Sequence, residues 1–568
     1  MAAELTAHQL IAQHRPTLDQ TLEAIRTRAY WSPHPEHPKA YGENGSLGMA
    51  EGKAAFDALL GTRLDLGQPG TDDWVGGEVS PYGIALDVTY PHADIDVLLP
   101  AMRAGQVAWR DAGAETRAMV CLEILKRIAD RTHEFAHAVM HTSGQAFMMA
   151  FQAGGPHAQD RGLEAVAYAY AEQVRTPDTA EWTKPQGKRD PITLTKQFTP
   201  VPRGIALVIG CNTFPTWNGY PGLFASLATG NAVLVKPHPR AVLPLALTVG
   251  IAREVLAEAG FDPNLVALAA ERPGEGIAKT LAVRPEIRII DYTGSTAFGD
   301  WLETHARQAQ VYTEKAGVNT VIVESTADYK GMLSNLAFSL SLYSGQMCTT
   351  PQNLLVPRDG IRTDEGPKSY DEVVADLARS VGGLLGDDAR ANGLLGAIVN
   401  PDVKARLEAA AGLGEVALPS REITNPEFPD AVVRTPVIVK LDGARKYWEG
   451  SDDEAAYMSE CFGPVSFAVA VDSAADAVDL LRRTVRDKGA MTVGAYTTDE
   501  EFERAVEEVC LEESAQLSLN LTGGVYVNQT AAFSDFHGSG GNPAANAALC
   551  DGAFVANRFR VVEVRREL

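Results

Sequence analysis

From Gly204 onward the chain alternates short apolar, largely β-branched runs with stretches long enough to be helices. The runs are GIALVIG, AVLVKP, NLVALAA, IRIIDYTG and NTVIVES, and segments such as PLALTVGIAREVLAEAG separate them. A strand that is apolar at every position is buried on both faces, which predicts a parallel sheet with helices covering each side. Strands and helices alternating in this way form a doubly wound α/β sheet, which binds ligands outside the carboxyl ends of its strands. Residues just beyond each run are therefore the first place to look for chemistry. A second α/β stretch fills roughly residues 330–540.

Before Gly204 the texture differs. The first 80 or so residues read as helices joined by loops rich in Pro, Gly and His. Residues 92–175 are strongly helical in pattern, with Leu125, Ile128, Phe135 and Val139 on one side of the helical repeat. Residues 190–200 (DPITLTKQFTP) alternate like an exposed ribbon, and RFRVVEVRREL at the end alternates with no sheet partner nearby in sequence. The balance of 50 basic against 73 acidic residues gives a net charge of −23, which opposes nucleic acid or an anionic membrane as the main partner. Six cysteines without a C-x-x-C pair exclude a disulfide framework and a cysteine zinc site, and suit a reducing compartment. The N-terminus has no apolar leader and no run approaches the roughly 18 residues of a membrane span, so the expected location is cytoplasmic.

Four segments carry candidate chemistry. Cys348, in LYSGQMCTTPQN, stands in a turn-forming context that could present a thiol at an opening. A thiolate is the best biological nucleophile near neutral pH, although a lone cysteine is more often a small buried hydrophobe. Glu314, in VYTEKAGVNTVIV, ends one expected strand just before another, where a carboxylate beside a cleft suits water activation and one at an open edge is merely solvated. DYTGSTAFG, residues 291–299, runs from a strand through Gly294, Ser295 and Thr296 to Gly299 at the start of a helix. Such a turn either offers helix N-terminal amides to a phosphate or is just a tight connection. Lys236, in AVLVKPHP, sits at a strand's carboxyl end, where open α/β sheets bind nucleotides.

Taken together and in this order, these segments resemble the NAD(P)-dependent aldehyde dehydrogenase superfamily, from about residue 90 to the C-terminus. The resemblance implies Cys348 as nucleophile, Glu314 as general base and Asn212, in GCNTFPTWNG, as the amide that holds the transition-state oxyanion. It also implies Lys236, Gly294, Ser295 and Gly299 on the nucleotide, with Glu460 and Phe462, in ECFGP, beside the nicotinamide ribose. GGVYVNQT and the final strand match further family landmarks. The implied fold is α/β and aldehyde dehydrogenase-like: a doubly wound nucleotide-binding domain, an α/β catalytic domain and a β oligomerisation arm. The corresponding division is a helical extension over 1–90, nucleotide binding over 91–185 and 201–313, catalysis over 314–540, and an arm from 186–200 and 541–568. A long N-terminal extension and the blocks HAVMHTSGQAFMMAFQAGG and VIGCNTFPTWNGYPGLFASLATGN are similar to a branch linked to phenylacetic acid degradation.

The implied reaction is attack of the Cys348 thiolate on an aldehyde, hydride loss to the nicotinamide, and hydrolysis of the thioester by water that Glu314 activates. The substrate so implied is a semialdehyde of aromatic catabolism, free or as a CoA thioester, and the assembly a homodimer or dimer of dimers. Three departures from the family pattern bear on this. Thr213 lengthens Asn-Phe-Pro by one residue, Lys315-Ala316 replaces a Leu-Gly beside Glu314, and Pro239 replaces a ribose-gripping Glu. With that carboxylate gone and His238 and Arg240 flanking the loop, NADP is expected to serve at least as well as NAD.

Three other readings compete. A CoA-acylating dehydrogenase would resolve its thioester with CoA and generally lacks the base, whereas Glu314 is present. A non-catalytic protein of the same fold would normally have lost the nucleophile, the base or the nucleotide turn. Finally, His133-Glu134-Phe135-Ala136-His137 fits the zinc-peptidase pattern H-E-x-x-H, with His141 one turn on. That face also carries Lys126 and Asp130, so it reads as the solvated side of an amphipathic helix, and no metal is expected.

Overall fold

The computed structural model describes residues 5–568. Strands β1 (Ile205–Ile209), β2 (Ala232–Lys236), β3 (Val266–Leu268), β4 (Ile287–Thr293) and β5 (Gln310–Glu314) form one parallel sheet in the order β3-β2-β1-β4-β5. From β1 the chain winds outward through β2 and β3, then returns to place β4 and β5 on the other side. The crevice between β1 and β4 is the switch point of this topology. Ile205, Leu207, Val233, Val235, Ile289 and Ile290 are wholly buried, as an uninterrupted apolar strand requires.

NTVIVES opens a second sheet instead of extending the first. Its strand β6 (Thr320–Val323) joins β7 (Asn353–Pro357), β8 (Glu415–Leu418), β9 (Val437–Asp442), β10 (Val465–Val471), β11 (Val493–Tyr496) and β12 (Leu517–Leu519). Their order is β8-β9-β10-β7-β6-β11-β12, with only the edge strand β8 antiparallel to its neighbour. Glu314 therefore lies where the chain passes from one sheet to the other.

From Leu5 the chain wraps a helical layer against the five-stranded sheet. Helix α1 (Ala7–Thr27) is closed by a Thr6–Gln9 capping box and buries Leu10 and Leu18. Helix α2 (Met49–Leu59) lies on α3 (Thr132–Ser143) so closely that a Cβ at Gly52 would fall 2.3 Å from that of His133. This contact corrects the expectation of a solvated histidine face. His133 and His141 are buried, Phe56 stacks on His137 and His141 at 5.7 and 5.2 Å, and burial pushes both of those imidazoles down to about 4. His133 Nε2 meets the Pro38 carbonyl at 3.0 Å and His141 Nδ1 meets Ser80 Oγ at 3.1 Å. The histidine face is thus an interior surface sealed by the N-terminal extension.

The last strand lies beside the ribbon with which the resemblance grouped it. Phe559–Glu567 is paired within its own chain, antiparallel to Arg189–Pro202, in register from Phe559 opposite Pro202 to Glu567 opposite Leu194. Thr179–Gln186 completes this three-stranded sheet on the other side. Periodicity identified the strand, and the resemblance placed it with the ribbon near 190–200, more than 350 residues away along the chain. Among the described residues the outer edge of Phe559–Glu567 has no strand beside it, and Val561, Val562 and Val564 of this strand are exposed. Among the described residues no helix is long and apolar enough to cross a membrane.

Candidate active site

Cys348 is presented by a strained turn. After the helix Tyr329–Ser341 the backbone passes through positive φ at Tyr343 (52°), Ser344 (51°) and Gly345 (63°). Left-handed conformations at non-glycine residues cost on the order of 1–3 kcal/mol each and persist only where the surroundings enforce them. At Gly345 a Cβ would lie 2.4 Å from the Gly463 carbonyl, so only glycine fits. Asn319, just before β6, holds the far side of the turn. Its amide donates to the carbonyls of Cys348 (2.7 Å) and Thr350 (3.0 Å), and its oxygen accepts the N–H groups of Met491 and Thr492.

Glu314, at the end of β5, is buried and faces Cys348 together with a histidine from far along the chain. The His537 Nε2 atom lies 3.2 Å from Glu314 Oε1 and 3.8 Å from Cys348 Sγ. Ligand-type atoms of all three residues fall within 4.8 Å of one another. The other carboxylate oxygen accepts the Asn218 amide at 3.1 Å. Burial alone would raise the Glu314 carboxyl, but the charge and hydrogen bond of His537, with Cys348 and Asn218, bring it below the ordinary value. The Cys348 thiol is driven the opposite way: burial and the Glu314 charge each push it up.

Asn212 also reaches this region. It lines a cleft with Cys348, and its amide donates to the Thr142 carbonyl at 3.1 Å. That bond uses one amide hydrogen and leaves the second free, while its oxygen is buried without a partner. The Cys348 N–H makes no hydrogen bond within the described residues.

Cys348, Phe214 and Asn218 stand between two cavities. One, of about 800 Å3, opens at the switch point and is lined by Lys236, His238, Gly294, Ser295, Glu460 and Phe462. The helix Thr296–His305 points its first turn there, and Ser295 gives it no side-chain cap. Open N–H groups at a helix N-terminus and a nearby lysine are what a pyrophosphate needs. The residues therefore fit a dinucleotide. Glu460 is pushed up to about 7 by burial, despite Arg406 nearby.

Three of the expected nucleotide residues play different parts. Gly299 is buried, and a Cβ there would come 2.6 Å from the Lys315 stem, so the helix packs on that stem only with glycine at this position. Burial pushes His238 down to about 4, so it is neutral at pH 7 and brings no cation to a 2′-phosphate. Arg240 is exposed and lies outside the residues lining the cleft. Lys236, moreover, is ion-paired to Glu271, a carboxylate that the sequence reading did not assign.

The second cavity, of about 530 Å3, is lined by Trp31, Phe214, Trp217, Tyr526 and Cys348. Trp31 belongs to the N-terminal extension. The exposed carboxylates of Glu36 and Asp535 lie on this cavity's lining, with Asp160 deeper.

His537 and Asn218 are the residues that sequence reasoning missed. Asn218 sits one turn into the helix Pro215–Ala228, inside a segment that was already singled out. His537 is 189 residues from Cys348 and lies on no periodic element. It arrives because the segment after it laps β5, through Lys315 N–H to the Ala544 carbonyl and Asn546 N–H to the Thr313 carbonyl.

The family model for aldehyde dehydrogenases matches residues 89–548. The chain is 24% identical over 393 residues to benzaldehyde dehydrogenase [NAD(+)] of Pseudomonas putida, covering 68% of this chain and 73% of that one. It is 24% identical over 443 residues to 2-aminomuconic 6-semialdehyde dehydrogenase of Pseudomonas sp, covering 74% and 82%. The crystal structure of an NAD-dependent aldehyde dehydrogenase from Burkholderia multivorans superimposes with a TM-score of 0.95 at 55% identity, covering 98% of this chain and 99% of that one.

Proposed function

The chain belongs to the aldehyde dehydrogenase family, and on that premise we infer that it oxidises an aromatic-sized aldehyde to the free acid through a Cys348 thioester. The observation that carries this reading is Cys348 facing Glu314 at the junction of two cavities. Bound in the nucleotide-side cleft, NAD(P) would supply the hydride acceptor. Lys236, Gly294, Ser295, Glu460 and Phe462 would hold it. In this reading residues 91–185 and 201–313 serve the nucleotide, and 314–540 carry the nucleophile.

Cys348 attacks the carbonyl carbon, and the free Asn212 hydrogen with the Cys348 N–H receives the oxyanion. Losing one such donor typically costs about 3–4 kcal/mol of barrier. Glu314, kept ionised by its neighbours, then deprotonates the water that releases the acid. A dedicated water-activating base supports the hydrolytic outcome over CoA acylation.

The substrate assignment rests on the second cavity. Its indole and phenyl walls suit a planar apolar body, and its carboxylates disfavour a polyanion. A free aldehyde of aromatic catabolism, such as a ring-cleavage semialdehyde, is therefore favoured over its CoA thioester. The relatives' names, benzaldehyde dehydrogenase and 2-aminomuconic 6-semialdehyde dehydrogenase, agree with that chemistry. Pro239 removes one carboxylate from the ribose subsite while Glu271 adds another beside Lys236, which supports use of both cofactors.

A rate screen following reduced-nicotinamide absorbance tests this. Turnover is expected without CoA, with free aromatic aldehydes preferred over CoA thioesters by about tenfold or more in kcat/KM, equivalent to ~1.4 kcal/mol. NAD and NADP are expected to fall within about tenfold of each other. A strict CoA requirement would overturn the hydrolytic reading.

The free edge of Phe559–Glu567, with its exposed valines, supports assembly into a homodimer or dimer of dimers, since an uncovered apolar edge is an aggregation hazard. Light scattering at micromolar concentration should give a mass at least twice that of the chain. A monomer would contradict this.

A further inference from the structure

The family reaction needs a thiolate, yet the surroundings of Cys348 hold its proton on. Burial and the Glu314 carboxylate both oppose ionisation of the thiol. A proton acceptor and a counter-cation must therefore come from a neighbour. His537 is in position for both. Its side chain is buried, and its ring is held edge-to-face against Trp217 at a centroid distance of 4.6 Å. Its backbone exchanges two 3.0 Å hydrogen bonds with Leu549.

The decisive detail is that a single ring nitrogen makes both contacts. Nε2 faces Cys348 Sγ at 3.8 Å and Glu314 Oε1 at 3.2 Å. If Nε2 carries no proton, its lone pair opposes the carboxylate. If it carries one and the thiol is neutral, it has no lone pair with which to accept the thiol proton. A thiolate beside an imidazolium satisfies both contacts at once, because one N–H then lies between two anionic acceptors.

Resting on the aldehyde dehydrogenase reading above, we propose that His537 is a catalytic residue that takes the thiol proton of Cys348 and remains as the cation shared by the thiolate and Glu314. The S–H bond breaks, its electron pair stays on sulfur, and the proton bonds to the Nε2 lone pair. Two neutral groups become an ion pair and no other reactant is needed. The thiolate pair then forms the S–C bond to the aldehyde carbon as the carbonyl π pair moves onto oxygen. When Glu314-activated water later expels the thiolate, the imidazolium is already there to receive it, so sulfur need not be reprotonated between turnovers.

The other charged and titratable groups around the pair do not substitute for it. Cys211 and Glu460 face the thiol and oppose its ionisation. On the Trp217 side, Arg161 lies over the indole at 5.3 Å, but its guanidinium is paired with Glu164 at 2.7 Å. Asp535, two residues before His537, is exposed and caps the Ala531 N–H at 2.8 Å.

The test uses the full-length enzyme without nicotinamide or aldehyde, so its outcome is independent of the substrate and cofactor assignments. Iodoacetamide alkylation of Cys348, read by peptide mass, is followed against pH in wild type and His537→Gln, together with thiolate absorbance relative to Cys348→Ser. In wild type, alkylation should be near its plateau at pH 7, with a midpoint below the ordinary cysteine value of about 8.5. His537→Gln should lower the rate at pH 7 at least tenfold and move the midpoint up past that ordinary value, with the rate recovering at high pH. A purely structural histidine would alter heat stability without moving the midpoint. Superimposable alkylation profiles in the two proteins would overturn the proposal. So would the absence of thiolate absorbance at pH 7 in wild type relative to Cys348→Ser, a comparison that does not depend on the His537 variant folding.

Discussion

Cys348→Ser should lose aldehyde oxidation by a factor of at least about a thousand in kcat, the lower range for removing a covalent nucleophile. An alcohol is a far weaker nucleophile than a thiolate at neutral pH. The fold should be untouched, because the turn is held through backbone groups. The Asn319 amide grips the carbonyls of Cys348 and Thr350, and the close approach at Gly345 to the Gly463 carbonyl does not involve the sulfur. Nucleotide binding should also be unchanged, since Lys236, Gly294 and Ser295 lie along the cleft away from the exchanged atom. Reduced-nicotinamide formation, the melting temperature and equilibrium binding of NAD(P) together check the expectation. Near-normal turnover would remove Cys348 from the reaction.

Glu314→Gln should fail later in the cycle. The amide is nearly isosteric and can keep its contact with Asn218, but it cannot accept a proton from water. One equivalent of reduced nicotinamide should therefore form in a rapid burst, after which steady-state turnover falls by about 10²–10⁴, the usual contribution of general-base catalysis. The two variants separate cleanly, because Cys348→Ser gives no burst. Steady turnover by Glu314→Gln without added thiol would mean that another group deprotonates the water.

What could be read from the sequence follows from how local the cause is. Strands β1 to β4 were legible because burial on both faces leaves few polar positions, a pattern that survives without knowing the neighbours, whereas β5 was read only as the strand that Glu314 ends. The position of β6 was not, since its apolar run is identical in kind and only its pairing with Asn353–Pro357 and Val493–Tyr496 assigns it to the second sheet. Cys348 and Glu314 stand in short segments whose composition already suggests a turn and a strand end. His537 has no such surroundings. It becomes a neighbour of Cys348 only through backbone bonds that the segment after it makes to β5. The face of His133, His137 and His141 failed for the same reason. A helical pattern identifies which side is polar, but not that Phe56, from a helix some 80 residues earlier, will cover it. Pro239 and Glu271 line the same cleft, but only Pro239 stands beside Lys236 in sequence, whereas Glu271 reaches it from the segment after β3.

The central claim is a covalent one: the aldehyde carbon becomes an acyl group on Cys348, and Glu314 is needed to remove it. The most direct measurement is the intact mass of Glu314→Gln quenched in acid seconds after mixing with NAD(P) and an aromatic aldehyde, followed by peptide digestion. A mass gain equal to the acyl group, confined to the peptide containing Cys348 and stoichiometric with the reduced nicotinamide released, is the expected result. A burst of reduced nicotinamide with unmodified protein, or with the acyl group on another residue, would contradict it.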